Sequence, residues 1–126
     1  TPEKGIDIFV IGLGEQASEF AFPLVHALRQ KSIITAMDYE GRSLKSQMKQ
    51  ANKAHAGWAL IIGENELELG QATLRNMDTQ EQEEIDISSD TKTLRNLLLS
   101  KIHSDVTKTN EGFVYKNGVK LSKQKV

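Results

Sequence analysis

A chain of 126 residues and 14.0 kDa has room for one domain with one core, so it cannot itself hold a complete large multi-domain enzyme. It has 38% hydrophobic and 26% charged residues, with 2 prolines and 9 glycines, so its composition is that of a globular protein rather than a disordered or fibrous one. The formal net charge of -1 argues against an independent, electrostatically driven nucleic-acid binder, but it hides an asymmetry: residues 64–90 sum to -8, residues 91–126 to +6 and the first 63 to +1.

With no cysteine there is neither a disulfide framework nor a thiolate zinc site, and His26, His55 and His103 have no ligand spacing. No metal centre or cofactor is expected in this chain. The longest apolar runs, 59–62 and 97–99, are far shorter than the roughly 20 residues of a membrane-spanning helix. Residues 1–5 carry no signal-peptide pattern, so a cytoplasmic protein with no membrane partner is expected.

In chain order, Ile6 to Ile11 reads as a strand, followed by the turn Gly12-Leu13-Gly14-Glu15. Residues 16–31 read as a helix, with Phe20, Leu24, Ala27 and Leu28 at helical spacing and a distortion expected at Pro23. Ile33 to Met37 is a second strand. Gly41 to His55 is a second helix, with Leu44, Met48, Ala51 and His55 on its packed side and Arg42, Lys45, Lys49 and Lys53 facing water. Trp58 to Ile62, apolar throughout and bounded by Gly57 and Gly63, is a buried central strand that includes a core tryptophan.

These elements make a β-α-β-α-β unit whose right-handed crossovers give parallel strands covered by helices. Asn65 to Leu69 supplies a helical turn. Gln71 to Met77 and Glu81 to Ile87 then form an antiparallel pair around Asp78-Thr79-Gln80, because so short a connection permits no other pairing. Ser88-Ser89-Asp90 offers caps for a last helix with Leu94, Leu97, Leu98 and Ile102 inward. The expected fold class is α/β, three-layered, with a mixed sheet of about five strands and three flanking helices. One domain covers 1–104; residues 105–126 form a basic extension, with a hairpin over 112–122 turning at Asn117-Gly118.

Gly12-Leu13-Gly14-Glu15-Gln16-Ala17 fits a G-x-G-x-x-A dinucleotide fingerprint, and Asp38 stands near the place of a ribose-binding acid. The bland alternative is a tight strand-to-helix turn. A second constellation joins Gly41-Arg42, Glu66 and Arg75, which can meet near one edge of the sheet. There a guanidinium and a carboxylate can address exposed bases. Its bland alternative is a Glu66–Arg75 salt bridge on a solvated face. His55 lacks triad partners, and the acids at 81, 83, 84 and 86 read as strand-face and turn charges.

The ordered set Gly41-Arg42-Ser43-Leu44-Lys45-Ser46-Gln47-Met48-Lys49, Ala59-Leu60-Ile61-Ile62-Gly63-Glu64-Asn65-Glu66-Leu67 and Gly70-Gln71-Ala72-Thr73-Leu74-Arg75-Asn76-Met77 resembles the C-terminal anticodon-binding domain of class II aminoacyl-tRNA synthetases, most closely the histidyl ones. The resemblance spans about residues 6 to 102 and implies a non-catalytic, tRNA-binding domain. Gly41, Arg42, Glu66 and Arg75 become its RNA-binding residues, and a GUG anticodon its target. It further implies a longer parent, homodimeric through other domains, whose absent catalytic part uses ATP and magnesium. Pro23, and Gln80 at a turn position where glycine is common, depart from the family pattern; residues 104–126 have no secure counterpart. The rival functions are a dinucleotide-binding module and a synthetase-like domain reused for regulation or protein interaction.

Overall fold

The computed structural model describes residues 5–103 and, as backbone, the strands within 106–123. The chain divides into two compact units, 1–95 and 96–126. In the first, β1 (Ile8–Gly12), β2 (Thr35–Met37), β3 (Trp58–Ile62), β4 (Gln71–Asn76) and β5 (Gln82–Asp86) form one sheet in the order β2-β1-β3-β4-β5. Strands β2, β1 and β3 are parallel, whereas β4 runs antiparallel to both β3 and β5. The expected mixed five-stranded sheet is therefore present.

Helices α1 (Glu15–Gln30), α2 (Leu44–Lys53) and α3 (Glu64–Glu68) belong to the same unit, α3 being the single expected turn, and α4 (Thr91–His103) runs across the division between the units. The chain moves from β1 to β2 on one side and then returns past β1 to β3. Right-handed crossovers therefore place α1 and α2 on opposite faces of the sheet. Ala51 of α2 and the adjacent Ala56 pack with Phe9, Ile11, Ala59 and Ile61, and Met48 and Met77 lie against this cluster. The alternate residues Ile8, Val10, Leu60 and Ile62 are fully buried on the other face. Trp58 is buried as expected, and Leu94, Leu98 and Ile102 are buried along α4. Asp90 caps α4 by accepting from the Thr93 amide at 2.7 Å.

Helix α1 runs unbroken through Pro23 for 16 residues. Glu19, whose carbonyl loses its intrahelical donor to Pro23, and Pro23 itself are both exposed, so water can replace the missing bond. The second helix begins at Leu44 rather than Gly41 and stops at Lys53 rather than His55. Gly41 and His55 both have positive φ, 67° and 55°, which no right-handed helix accommodates. In consequence His55 is exposed, Leu44 is 40% exposed, and Gln47 at 1% takes the inward position.

Gln80 adopts φ 66° in the β4–β5 turn, the conformation that favours glycine there. Asn76 Oδ1 supports that turn by accepting from the Asp78 and Thr79 amides at 2.9 and 3.1 Å. In the second unit β6 (Val106–Lys108), β7 (Phe113–Lys116) and β8 (Val119–Lys123) form an antiparallel sheet, with an irregularity between Val114 and Tyr115. The Asn117-Gly118 turn lies outside the described residues.

Candidate functional site

Pairing register decides which side chains share a face. Ala59 and Ile61 of β3 lie opposite Arg75 and Thr73 of β4, and these in turn lie opposite Gln82 and Glu84 of β5. All six project from the face that α2 covers over β1 and β3. Beyond β3 that face is polar: Gln71, Thr73 and Arg75 are half-buried, and Gln82, Glu84 and Asp86 are exposed. The opposite face of the same two strands carries buried Ala72, Leu74 and Ile85. The hairpin thus anchors itself with one set of alternate residues and presents the other.

The structure brings Glu66 and Arg75 onto this surface together. Glu66 Oε2 accepts from Thr73 Oγ1 at 3.1 Å, and Arg75, two residues further along β4, donates from one terminal nitrogen to Gln82 Oε1 at 3.0 Å. The carboxylate and guanidinium each have a neutral partner, so the salt bridge of the bland reading is not what holds them. Arg75 Nε is buried without a hydrogen-bond partner among the described residues. A desolvated donor of this kind carries an energetic cost until something accepts from it. Glu66 retains accepting capacity and Arg75 retains donors, the combination that addresses base edges.

Gly41 and Arg42 lie in the loop after β2, which β1 and β3 separate from β4. This loop folds around Asp38, whose Oδ2 accepts from the Glu40 and Arg42 amides at 3.3 and 2.9 Å. The Arg42 guanidinium reaches back to Asp38 Oδ1 at 2.5 Å and also pairs with Glu40. Burial pushes the Asp38 carboxyl upward, but hydrogen bonds from Arg42 and Gln50 outweigh it and hold the group below the ordinary aspartate range. Buried Gln47 donates to the Arg42 carbonyl at 2.7 Å and lies 3.5 Å from the Gly12 carbonyl, tying the loop to the end of β1. Sequence reasoning missed Gln47 and Thr73. The signal for Thr73 was its alternation with Arg75; a buried glutamine amid lysines gave none.

The geometry does not favour the dinucleotide reading. A side chain at Gly12 would strike the Ser18 backbone, and one at Gly14, φ 101°, would collide with the Glu64 carboxylate. The glycines therefore permit close packing, and a carboxylate occupies the space beside the turn where a pyrophosphate would need donors. Asp38 is consumed by its own loop. Among the described residues no group of three His, Cys, Asp or Glu could hold a metal ion, and no helix is long and apolar enough to cross a membrane.

Against known proteins, residues 7–97 match the model of the anticodon binding domain family. The chain belongs to this family. It is 56% identical over 80 residues to histidine–tRNA ligase of Desulfotalea psychrophila, covering 64% of this chain and 19% of that protein. It is 45% identical over 89 residues to the ligase of Alkaliphilus oremlandii, covering 71% and 21%. The chain therefore spans about a fifth of the length of these relatives.

Apo Staphylococcus aureus histidyl-tRNA synthetase superposes with a TM-score of 0.67 at 35% identity, covering 75% of this chain and 27% of that one. The RNA binding domain of Cryptosporidium parvum threonyl-tRNA synthetase shares the fold at a TM-score of 0.64 and 23% identity, over 79% and 23% of the two chains. As an anticodon-binding domain, the chain has a functional centre that is a surface for recognition, and the dinucleotide and regulatory alternatives are not favoured.

Proposed function

We propose that this domain reads the GUG anticodon loop of a histidine-accepting tRNA on behalf of a histidine–tRNA ligase. The carrying observation is that Glu66 and Arg75 share the open polar face of β4, joined through Thr73, in a chain of the anticodon-binding family. Unstacked guanine offers imino and amino hydrogens that suit the Glu66 carboxylate, and guanine O6/N7 or a uracil carbonyl suits Arg75. Thr73 orients the carboxylate. Gly41 and Arg42 form a further contacting segment: the guanidinium is partly neutralised by Asp38 and Glu40, while the Gly41 backbone is open.

Residues 1–104 make up the RNA-binding body in this reading, and 105–126 are an appended basic extension. Amino-acid activation with ATP and magnesium, and homodimer formation, belong to the rest of the parent, which acts in the cytoplasm. Titration of the chain with tRNA carrying GUG, against the same tRNA with a changed anticodon, tests the proposal. Glu66→Ala and Arg75→Ala should each reduce the discrimination by roughly 1 to 3 kcal/mol, the worth of a good base contact. Equal affinity of the unaltered chain for both tRNAs would overturn it.

A further inference from the structure

We propose that Tyr39 and Phe22 form a stacking platform for one unstacked base of the same RNA, a contact separate from Glu66 and Arg75 that rests on the RNA-binding reading above. Phe22 of α1 is 50% exposed and Tyr39 is 60% exposed, yet their ring centroids lie 5.6 Å apart with 38° between the planes. Aromatic pairs ordinarily contribute by burying large areas. This pair supports itself while leaving ring surface open.

Tyr39 is also held. On one side Asp38 is buried and accepts from the Glu40 and Arg42 amides; on the other, Glu40 pairs with Arg42. A residue whose two neighbours are tied has less backbone freedom to lose when a ligand settles on its ring. Proteins that read single-stranded RNA lay unstacked bases on aromatic rings or guanidinium planes. Tyr39 and Arg42 supply one of each within four residues. Between them Gly41, at φ 67°, has nothing within 4 Å of the place a side chain would occupy, so a nucleotide backbone can approach.

Helix α2 begins two residues beyond Arg42, contains no acid, and exposes Lys45, Lys49 and Lys53. Charges of this sign suit RNA phosphates. The acidic stretch from Glu64 to Asp90 does not.

The test titrates the full chain with stem-loop RNA bearing the GUG loop and with the same stem-loop bearing a changed anticodon. Tyr39→Ala should bind the GUG loop about ten-fold more weakly, the order expected for losing one stacked base, and Phe22→Ala should show a smaller loss. The slope of log affinity against log salt should stay unchanged, because a neutral ring displaces no counterions. Tyr39→Trp should retain affinity, and its indole emission should fall on binding.

Unaltered affinity of Tyr39→Ala, while the parent chain still prefers GUG, overturns the platform and leaves the Glu66 and Arg75 reading standing. That is the result expected if the rings meet a protein surface instead. Absence of GUG preference in the parent chain overturns both. Should Tyr39→Ala prove less stable in thermal unfolding, the Tyr39→Trp titration decides, and constant emission on saturation removes the platform.

Discussion

Asp38 is the residue on which the loop before α2 turns, and its carboxylate is therefore a point of acid sensitivity. Its folded pKa lies below the ordinary value of 3.8 despite the opposing effect of burial, so the stabilisation it supplies is complete above that value and disappears as pH falls through the folded pKa. Asp38→Asn should be less stable than the parent chain near neutral pH, and the gap should narrow once pH drops below the ordinary aspartate value. Denaturant unfolding across a pH series checks this; a gap of constant size would mean that the carboxylate charge is immaterial. Residue types in sequence order marked Asp38, but as a ribose ligand. Its partners are backbone amides and a guanidinium two to four residues away, with the Gln50 amide beyond them, contacts that depend on the loop's dihedral angles and leave no trace in spacing.

At the scale of elements, periodicity located all five strands of the main sheet and the long helices, because buried strands such as Trp58–Ile62 and the face of α1 impose strong apolar patterns. It failed at the ends of α2, where positive φ at Gly41 and His55 stops a pattern that hydrophobicity alone would extend. Helix α1 continues through Pro23, with Glu19 and Pro23 both exposed. A proline inside a helix still lacks a donor and crowds the preceding turn. Pro23→Ala should accordingly raise the unfolding free energy by roughly 1 to 3 kcal/mol, less the entropy that proline removes from the unfolded chain. Thermal or urea unfolding measures it, and a decrease would mean that proline matches the local backbone better than alanine does.

Across the whole molecule, charge is segregated more strongly than the net value of -1 suggests. The open β4–β5 face and its surroundings are acidic, while α2 bears lysines, so phosphate contacts should be few and concentrated. Replacing Lys45, Lys49 and Lys53 together by Gln should flatten the salt dependence of tRNA binding by about 0.7 in log–log slope for each phosphate released, with little effect on anticodon preference. A salt-titrated binding series measures both quantities, and an unchanged slope would place the phosphates elsewhere. Glu66, Arg75, Gly41 and Arg42 were expected near one edge of the sheet; strand register and order bring Glu66 and Arg75 to one surface and leave Gly41 and Arg42 beyond β1 and β3.

Register has one more consequence. Ala72 and Leu74 hold β4 to the core while Thr73 and Arg75 face the other way, so on the proposed reading recognition and stability fall on alternate letters of the same strand. If that reading holds, a new triplet would call for changes at Thr73 or Arg75 and leave the packing of Ala72 and Leu74 as it is.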